Sequence, residues 1–152
     1  LHEEVVLVRA VYDRALDDMS GEGGRVTELV ARPVISALFP HLAHIRQPLG
    51  GEYSIRREVA EALSFEVDYG VEIGLLIDVA YAFGVDAISQ VDLTQRAHRN
   101  QPISALREQS RQVLRAALAR TALGSSLQVT HPPRPALTES TDALEGPIAA
   151  VG

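Results

Sequence analysis

Residues 90–100, which read QVDLTQRAHRN, join a strand-like pattern to a dense group of polar side chains. The strand-like part has apolar residues among polar neighbours: Ile88 just before the stretch, then Val91 and Leu93. If the chain stays extended beyond them, side chains two residues apart lie on the same face. Arg96, His98 and Asn100 would then point the same way, with Arg99 opposite. This arrangement predicts a polar site at the end of a strand.

The polar group has two interpretations. A guanidinium, an imidazole and a carboxamide together suit an anionic ligand, with or without a metal ion. The alternative is a solvated loop in which three polar residues coincide, because loops are polar and also carry functional residues. The stretch alone leaves both interpretations open.

Composition limits the classes of protein to which the chain can belong. Its 152 residues are 46% hydrophobic, which is enough for one domain with a core. The formal charge of −6 argues against a general nucleic-acid-binding surface, which is normally basic. The absence of cysteine excludes a disulfide framework and fits a cytosolic protein. The apolar runs are too short to predict a membrane span.

The two ends of the sequence differ in character. The chain begins at Leu1 and enters a strand pattern almost at once, which suggests a piece of a longer protein. From Gly124 onward Ser, Thr, Pro, Ala and Gly dominate and offer little core material. We therefore expect a structured unit over residues 1–123 and a flexible tail over 124–152.

Hydrophobic periodicity predicts an α/β fold. Strands are expected within residues 4–14, 49–57 and 85–93, and helices over 26–38, 58–63, 69–84 and 103–123. Pro33 should kink or divide the first helix. The 69–84 helix is apolar nearly all round and is expected to be buried, with Gly84 ending it.

Two helices have apolar residues at helical spacing. In the first helix these are Val26, Leu29, Val30, Ile35 and Leu38. In the last helix the residues expected to face inward are Leu106, Val113, Leu114, Ala117 and Leu118.

The first helix is preceded by Gly23 and Gly24, which allow close approach of the backbone to a ligand. A helix N-terminus offers free N–H groups to an anion, and Arg25 adds a fork of donors that matches phosphate or carboxylate. An anion-binding segment would consist of Gly24, Arg25, Val26 and Thr27. An ordinary flexible loop, with Thr27 near the helix cap, explains the same residues.

The 69–84 helix contains two carboxylates, Glu72 and Asp78. Glu72 falls in the first turn, where the helix dipole favours negative charge, but it could equally face a cleft and accept hydrogen bonds from ligand hydroxyls. Asp78 is expected at a rim or beside an arginine. His41 and His44 lie in a proline-bounded connection and are expected at the surface rather than on a metal.

Four motifs give the chain a family resemblance: GGRVTELVARP from Gly23, QPLGGEY from Gln47, YGVEIGLLID from Tyr69, and QVDL with RAHRN from Gln90. In this order and spacing they resemble the glucosyl-3-phosphoglycerate synthases of actinobacteria. These are retaining GT-A glycosyltransferases, related to mannosyl-3-phosphoglycerate synthases. The resemblance covers about residues 5–120.

The resemblance implies transfer of glucose from an NDP-glucose, usually UDP-glucose, to the 2-hydroxyl of 3-phosphoglycerate, with Mg²⁺ (or Mn²⁺) as cofactor. It implies a binding site for the acceptor at Gly24, Arg25, Val26, Thr27 and Asn100. Tyr69 and Glu72 resemble the residues that hold the glucose hydroxyls. Leu49 resembles the position whose backbone carbonyl lies near the anomeric carbon.

The remaining implied roles concern the donor diphosphate and the metal. Arg96 resembles a diphosphate contact and His98 a metal ligand. The family also implies a homodimer, and no nucleic-acid partner is expected.

The sequence departs from the family in one respect. A GT-A enzyme needs an Asp-x-Asp metal motif and a nucleotide-binding βαβ region, and neither occurs in this sequence. We therefore expect the chain to be the C-terminal, acceptor-binding half of such an enzyme, inactive or nearly so by itself. A mannosyl-transferring relative and a non-catalytic phosphoglycerate-binding or dimerisation module remain as alternatives.

Overall fold

A mixed three-stranded sheet forms the centre of the structure, a computed structural model that describes residues 5–15, 24–97 and 103–121, with backbone alone at 13–15 and 94–97. The central strand β1 (Leu7–Ala15) pairs antiparallel with β2 (Tyr53–Ile55) and parallel with β3 (Ile88–Ala97). Leu7 lies opposite both Ile55 and Ile88. A register shift interrupts the parallel pairing between Val11 and Asp13.

Within these described ranges four α-helices accompany the sheet: α1 (Arg32–Leu38), α2 (Arg57–Ala62), α3 (Val71–Phe83) and α4 (Ile103–Ala119). Short helical turns cover Thr27–Ala31 (a π-helix), Pro40–Leu42, Asp68–Gly70 and Val85–Ala87. The predicted α/β organisation and the order of its elements are confirmed. The side chains that are fully buried at its centre include Leu7, Phe39, Leu42, Ile73, Leu76, Ile77 and Val79.

The first helical region is divided, as Pro33 predicts, and it presents most of the expected apolar face: Val26 and Ile35 are buried, and Val30 and Leu38 pack against the core. A π-helix leads into α1, and Pro33 stands in the first turn of α1, where it cannot donate a backbone hydrogen bond to the preceding π turn. Leu29, expected inward, is 75% exposed, whereas Thr27 and Ala31 are buried. The wider π turn rotates the buried face away from the 3.6-residue pattern.

Helix α3 is confirmed, together with the stop at Gly84, whose φ of 86° is readily adopted only by glycine. Its burial is only partly as expected. The stretch from Ile73 to Ile77 is buried, but near the C-terminal end Tyr81 and Phe83 are 61% and 45% exposed. At this end Val79 and Ala80 remain buried, and the Tyr81 ring packs edge-on against Phe39, so only one side of the last turns is exposed.

Two element boundaries differ from the sequence prediction. Residues Val85–Ala87 form a 3₁₀ turn, so β3 begins at Ile88 and continues past residue 93 to Ala97. Helix α4 ends at Ala119 rather than near residue 123. In α4 Val113 and Ala117 are buried as expected, but Leu114 is 40% exposed and Ala116 is buried in its place.

Small residues explain the shifted inward face of α4. A Cβ added to Gly70 would lie 2.9 Å from Cβ of Ala116, so the two segments approach too closely for a larger residue. Beside this contact Arg120 donates to both carboxylate oxygens of Asp78 at 2.6 Å and to Glu66 at 2.9 Å. The expectation that Asp78 partners an arginine is confirmed. Helix α4 therefore fixes α3 and the residues that precede it.

Within the described ranges, no helix combines the length and the apolar character that crossing a bilayer requires. The predicted boundary between a structured unit and a tail, at residues 123 and 124, falls outside the described residues.

Candidate functional site

Residues 47–51, called the 47–51 loop below, lie against β1 and are held there by Arg9. The guanidinium donates to the carbonyl oxygens of Gln47 at 3.4 Å, Pro48 at 3.2 Å and Gly50 at 2.7 Å. These acceptors flank Leu49 on both sides. One arginine therefore fixes the backbone around Leu49.

Arg9 also reaches the start of α3, because its other terminal nitrogen donates to the carbonyl oxygen of Glu72 at 3.4 Å. The side chain is buried, and its guanidinium carbon lies 5.8 Å from the centroid of the Tyr53 ring. Burial lowers the pKa of Arg9 to about 10, although Glu72 and two nearby tyrosines act in the opposite direction. Arg9 is therefore still a cation at neutral pH.

Further contacts attach the 47–51 loop and the residue before it to three elements. The side-chain amide of Gln47 donates to the carbonyl oxygen of Tyr12 on β1. The backbone amide of Arg46 donates to the side chain of Gln90 on β3 at 2.8 Å. From α1, Arg32 donates to the carbonyl oxygen of Arg46 at 2.6 Å. The loop and Arg46 are thus attached to α1, β1 and β3.

The carboxylate of Glu72 lies beside this loop. A Cβ added to Gly51 would lie 3.5 Å from Oε1 of Glu72, which is van der Waals contact. Burial raises the pKa of Glu72, and a backbone hydrogen bond and the charge of Arg9 offset this only in part. The structure therefore brings two predicted site residues, Leu49 and Glu72, to one place. A half-buried carboxylate there is suited to accept hydrogen bonds from hydroxyl groups.

Tyr69 lies one helical turn before Glu72, in the 3₁₀ turn Asp68–Gly70. Its amide donates to the side chain of Gln112 on α4 at 3.1 Å, and its side chain is 51% exposed. Residues three apart at a helical start lie on neighbouring parts of the same face. The position of Tyr69 thus depends on α4, while its ring faces solvent.

The predicted anion-binding segment begins the first helical region. The carbonyl oxygen of Gly24 accepts the backbone amide of Glu28 at 3.0 Å, which is the first helical bond there. Arg25 is exposed, whereas Val26 and Thr27 are buried. Val26, and not Thr27, occupies the cap of the π-helix, and no side chain caps it. Thr27 directly follows this cap, so it lies near the cap as expected, and Arg25 is the exposed member of the segment.

The polar group at the end of β3 is described only in part. The backbone of Arg96 pairs with that of Arg14, where the carboxyl ends of two parallel strands meet at one edge of the sheet. The chain is therefore extended through Ala97, as the same-face prediction requires. His98 and Asn100 lie outside the described residues, so their shared orientation stays a prediction.

Within residues 5–15, 24–97 and 103–121, no group of three or more His, Asp or Glu residues is arranged to hold a metal ion. His41 and His44 are both exposed, as expected, and Nδ1 of His44 lies 3.1 Å from the carbonyl oxygen of His41. The described residues thus do not form a metal site by themselves.

Arg9 was not among the residues that the sequence analysis singled out. The available signal is a lone charge at the centre of the apolar run VVLVRAVY, residues 5–12. A charged residue is almost never fully buried unless it is paired, so its position in a central strand indicates a polar contact inside the fold.

Comparison with known proteins gives a consistent result. No model of a known protein family matches the sequence. Glucosyl-3-phosphoglycerate synthase of Mycobacterium tuberculosis is 50% identical over 131 residues, which cover 82% of this chain and 40% of the relative. The corresponding protein of Petrotoga mobilis is 48% identical over 123 residues, which cover 78% of this chain and 38% of the relative. The chain therefore spans about 40% of the length of the curated relatives it matches.

Solved structures agree. The M. tuberculosis synthase in complex with Mn²⁺, UDP-glucose and phosphoglyceric acid is similar with a TM-score of 0.70 at 50% identity, over 78% of this chain and 39% of that one. Its complex with phosphoglyceric acid alone gives a TM-score of 0.71. The predicted fold class, part of a GT-A fold, is thereby confirmed.

Proposed function

We propose that this chain, which its sequence and structure relate to the glucosyl-3-phosphoglycerate synthases, forms the acceptor- and glucose-binding part of such an enzyme. The reaction is transfer of glucose from UDP-glucose, or another NDP-glucose, to the 2-hydroxyl of 3-phosphoglycerate, with retention at the anomeric carbon. The observation that carries the proposal is that the Glu72 carboxylate lies beside Gly51, two residues after Leu49, with Oε1 3.5 Å from the place where a Cβ would stand. Leu49 and Glu72, both assigned to the glucosyl group by resemblance, thus lie in neighbouring parts of the fold.

The glucose site follows from this arrangement. Glu72 accepts hydrogen bonds from sugar hydroxyls, which are stronger to an ionised acceptor than to a neutral one. Tyr69, one turn away, borders the same sugar. The Leu49 carbonyl lies near the anomeric carbon, where a fixed dipole stabilises the positive charge that develops as the leaving group departs.

The acceptor site uses the segment from Gly24 to Thr27, together with Asn100. Phosphoglycerate carries a phosphate and a carboxylate, and the exposed Arg25 guanidinium can bind either through two parallel hydrogen bonds. The start of a helical segment adds backbone N–H groups that favour an anion. A guanidinium beside such amides favours a small acceptor that carries two anionic groups.

Donor binding involves Arg96, described by its backbone alone, and His98, which lies beyond the described ranges. We assign Arg96 to the diphosphate and His98 to Mg²⁺ or Mn²⁺, which when bound would neutralise charge on the departing diphosphate. Because the described residues contain no three-ligand group, the other ligands would come from a part of the enzyme outside them. By itself the chain would then be inactive or nearly so, and the complete enzyme would be a homodimer.

Calorimetry with 3-phosphoglycerate tests the acceptor site on the chain itself. Arg25→Ala removes one charge-assisted contact and should weaken binding at least ~10-fold. Arg57→Ala is the matched control, because Arg57 is an exposed arginine on α2 that pairs only with Glu61 in the described contacts. Unchanged affinity in Arg25→Ala would contradict the assigned site.

Donor choice is tested in a hybrid enzyme, in which this chain replaces the matched residues of the M. tuberculosis synthase. UDP-glucose should be used in preference to GDP-mannose. Preference for GDP-mannose would favour the mannosyl alternative. Binding of 3-phosphoglycerate without turnover of either donor would identify a non-catalytic module.

A further inference from the structure

We propose that Arg9 is a positioning residue for glucosyl transfer: its buried guanidinium holds the backbone around Leu49 in a fixed relation to Glu72. The inference rests on the proposed function, since it concerns the same glucose site. Arg9 belongs to none of the four motifs that carry the family resemblance, and it acts through the groups that it holds rather than on the substrate.

The geometry places one cation between two parts of the site. Its hydrogen bonds to the carbonyls of Pro48 and Gly50 fix the residues on either side of Leu49. A further bond, to the carbonyl of Glu72, fixes the residue whose carboxylate lies beside Gly51. Any displacement of the guanidinium would therefore move both parts of the glucose site relative to each other.

Only a planar, branched cation satisfies this arrangement. The acceptors lie in two directions, with the loop carbonyls on one terminal nitrogen and the Glu72 carbonyl on the other. Lysine has a single ammonium group and cannot reproduce the rigid fork of arginine. Arg9→Lys therefore keeps the positive charge but cannot reproduce the hydrogen bonds in both directions.

The burial of Arg9 works against stability. A buried charge is penalised unless it is compensated, and within the described part of the chain Nε of Arg9 has no hydrogen-bond partner. An apolar side chain in β1 would avoid this penalty but could not hold the loop. A role in placing the loop accounts for a guanidinium at this position better than a role in packing does.

The main test uses Arg9→Lys, with the exposed Arg57→Lys as matched control. In the hybrid synthase we expect kcat to fall ~100-fold, the size expected for misplacement of a reacting group by about 1 Å, with less than ~3-fold change in KM for UDP-glucose. A kcat equal to that of the control overturns the inference. A wild-type hybrid without any transfer overturns the proposed function as well, so the two failures are distinguishable.

Hydrogen exchange provides a readout that does not depend on activity. In the chain itself, peptides that cover residues 47–52 should exchange at least ~10-fold faster in Arg9→Lys, because the loop opens locally more often. Peptides from α4 should be unchanged. Equal exchange in residues 47–52 overturns the inference, whatever the kinetic result.

A second variant applies if Arg9→Lys does not fold. Gln90, a half-buried residue of β3, accepts the backbone amide of Arg46, the residue just before the 47–51 loop. Gln90→Ala therefore loosens the attachment of this loop to β3 without disturbing the core. We expect a smaller fall in kcat, ~10-fold, again with KM nearly constant. An unchanged kcat in this variant overturns the inference that the position of the loop governs turnover.

Discussion

Glu72 is subject to opposed electrostatic influences. It stands in the first turn of α3, where the helix dipole favours a negative charge, and Arg9 lies nearby. Burial nevertheless dominates and raises the pKa of its carboxyl. Ionisation of Glu72 therefore destabilises the folded chain relative to an ordinary glutamate, although the proposed function needs the ionised form.

Glu72→Gln should separate stability from activity. With the pKa raised in the folded state, wild-type stability falls as pH rises from the ordinary glutamate value through the folded value. At neutral pH the variant should have a higher unfolding temperature than the wild type, and this advantage should disappear at acidic pH. In the hybrid synthase kcat/KM should fall roughly 10–100-fold, as for loss of a charged hydrogen-bond acceptor.

Thermal unfolding at two pH values and steady-state kinetics provide these measurements. A variant that is less stable than the wild type at neutral pH would show that the Arg9–Glu72 attraction outweighs burial. Unchanged kcat/KM would remove Glu72 from the glucose site.

Single residues show where sequence reasoning succeeds and where it does not. Glu72 and Asp78 could be singled out because a carboxylate in an apolar helix is conspicuous. Arg9 was overlooked because its acceptors are backbone carbonyls 38 to 63 residues away. Every residue has a backbone carbonyl, so the sequence does not indicate which ones will accept a hydrogen bond from Arg9. Leu29 was misjudged because the chain forms a π turn there, whose spacing differs from that of an α-helix.

At the scale of elements, α3 and α4 are joined by a close contact and an ion network. A Cβ on Gly74 would lie 2.9 Å from both a terminal nitrogen of Arg120 and Cγ of Glu66. Side chains of Arg120 and Glu66 are 3% and 2% exposed, so neither can turn into solvent to make room. The glycine is needed for the network to fit between the helices.

Gly74→Ala should therefore destabilise the fold by about 1–3 kcal/mol, the usual penalty for overpacking, although alanine is the better helix former. Urea denaturation measures the difference. Ala82→Gly, at an exposed position of the same helix, should be destabilising only by about 1 kcal/mol through helix propensity. A Gly74→Ala variant as stable as the wild type would mean that α4 can shift freely.

Arg120→Met provides a sharper test of the network. Removing the cation leaves Glu66 buried and Asp78 partly buried without their main partner, and a loss of about 3–5 kcal/mol is expected. Arg111→Met breaks the exposed pair with Glu108 on the same helix and should change the free energy of unfolding far less, because solvent screens an exposed ion pair. Similar losses in the two variants, measured by urea denaturation, would contradict a structural role for the buried network.

The type of each element could be predicted better than which of its faces is buried or where it begins and ends. The apolar 69–84 stretch and the Gly84 stop are strong local signals, and both are confirmed. The start of β3 was misplaced because a 3₁₀ turn and a strand have similar composition over three residues. The inward face of α4 was shifted because Ala116 packs against Gly70, a contact between distant segments.

At the scale of the molecule, the candidate site lies beside the parallel strands β1 and β3 and the N-terminal end of α3. The sequence resemblance predicts Leu49 and Glu72 to act on one sugar, and the fold brings them together through Arg9 and Gly51. His98 and Asn100 lie beyond the described residues, so their roles remain predictions. The similarity to the M. tuberculosis synthase, at 50% identity, covers 40% of that relative.

The most direct measurement is detection of glucosyl-3-phosphoglycerate by mass spectrometry after the hybrid synthase is incubated with UDP-glucose, 3-phosphoglycerate and Mn²⁺. We predict product that depends on all three additions and that falls sharply in Glu72→Gln. A folded hybrid that binds 3-phosphoglycerate but forms no product and releases no UDP would contradict the assignment of this chain to the glucosyl-transfer site.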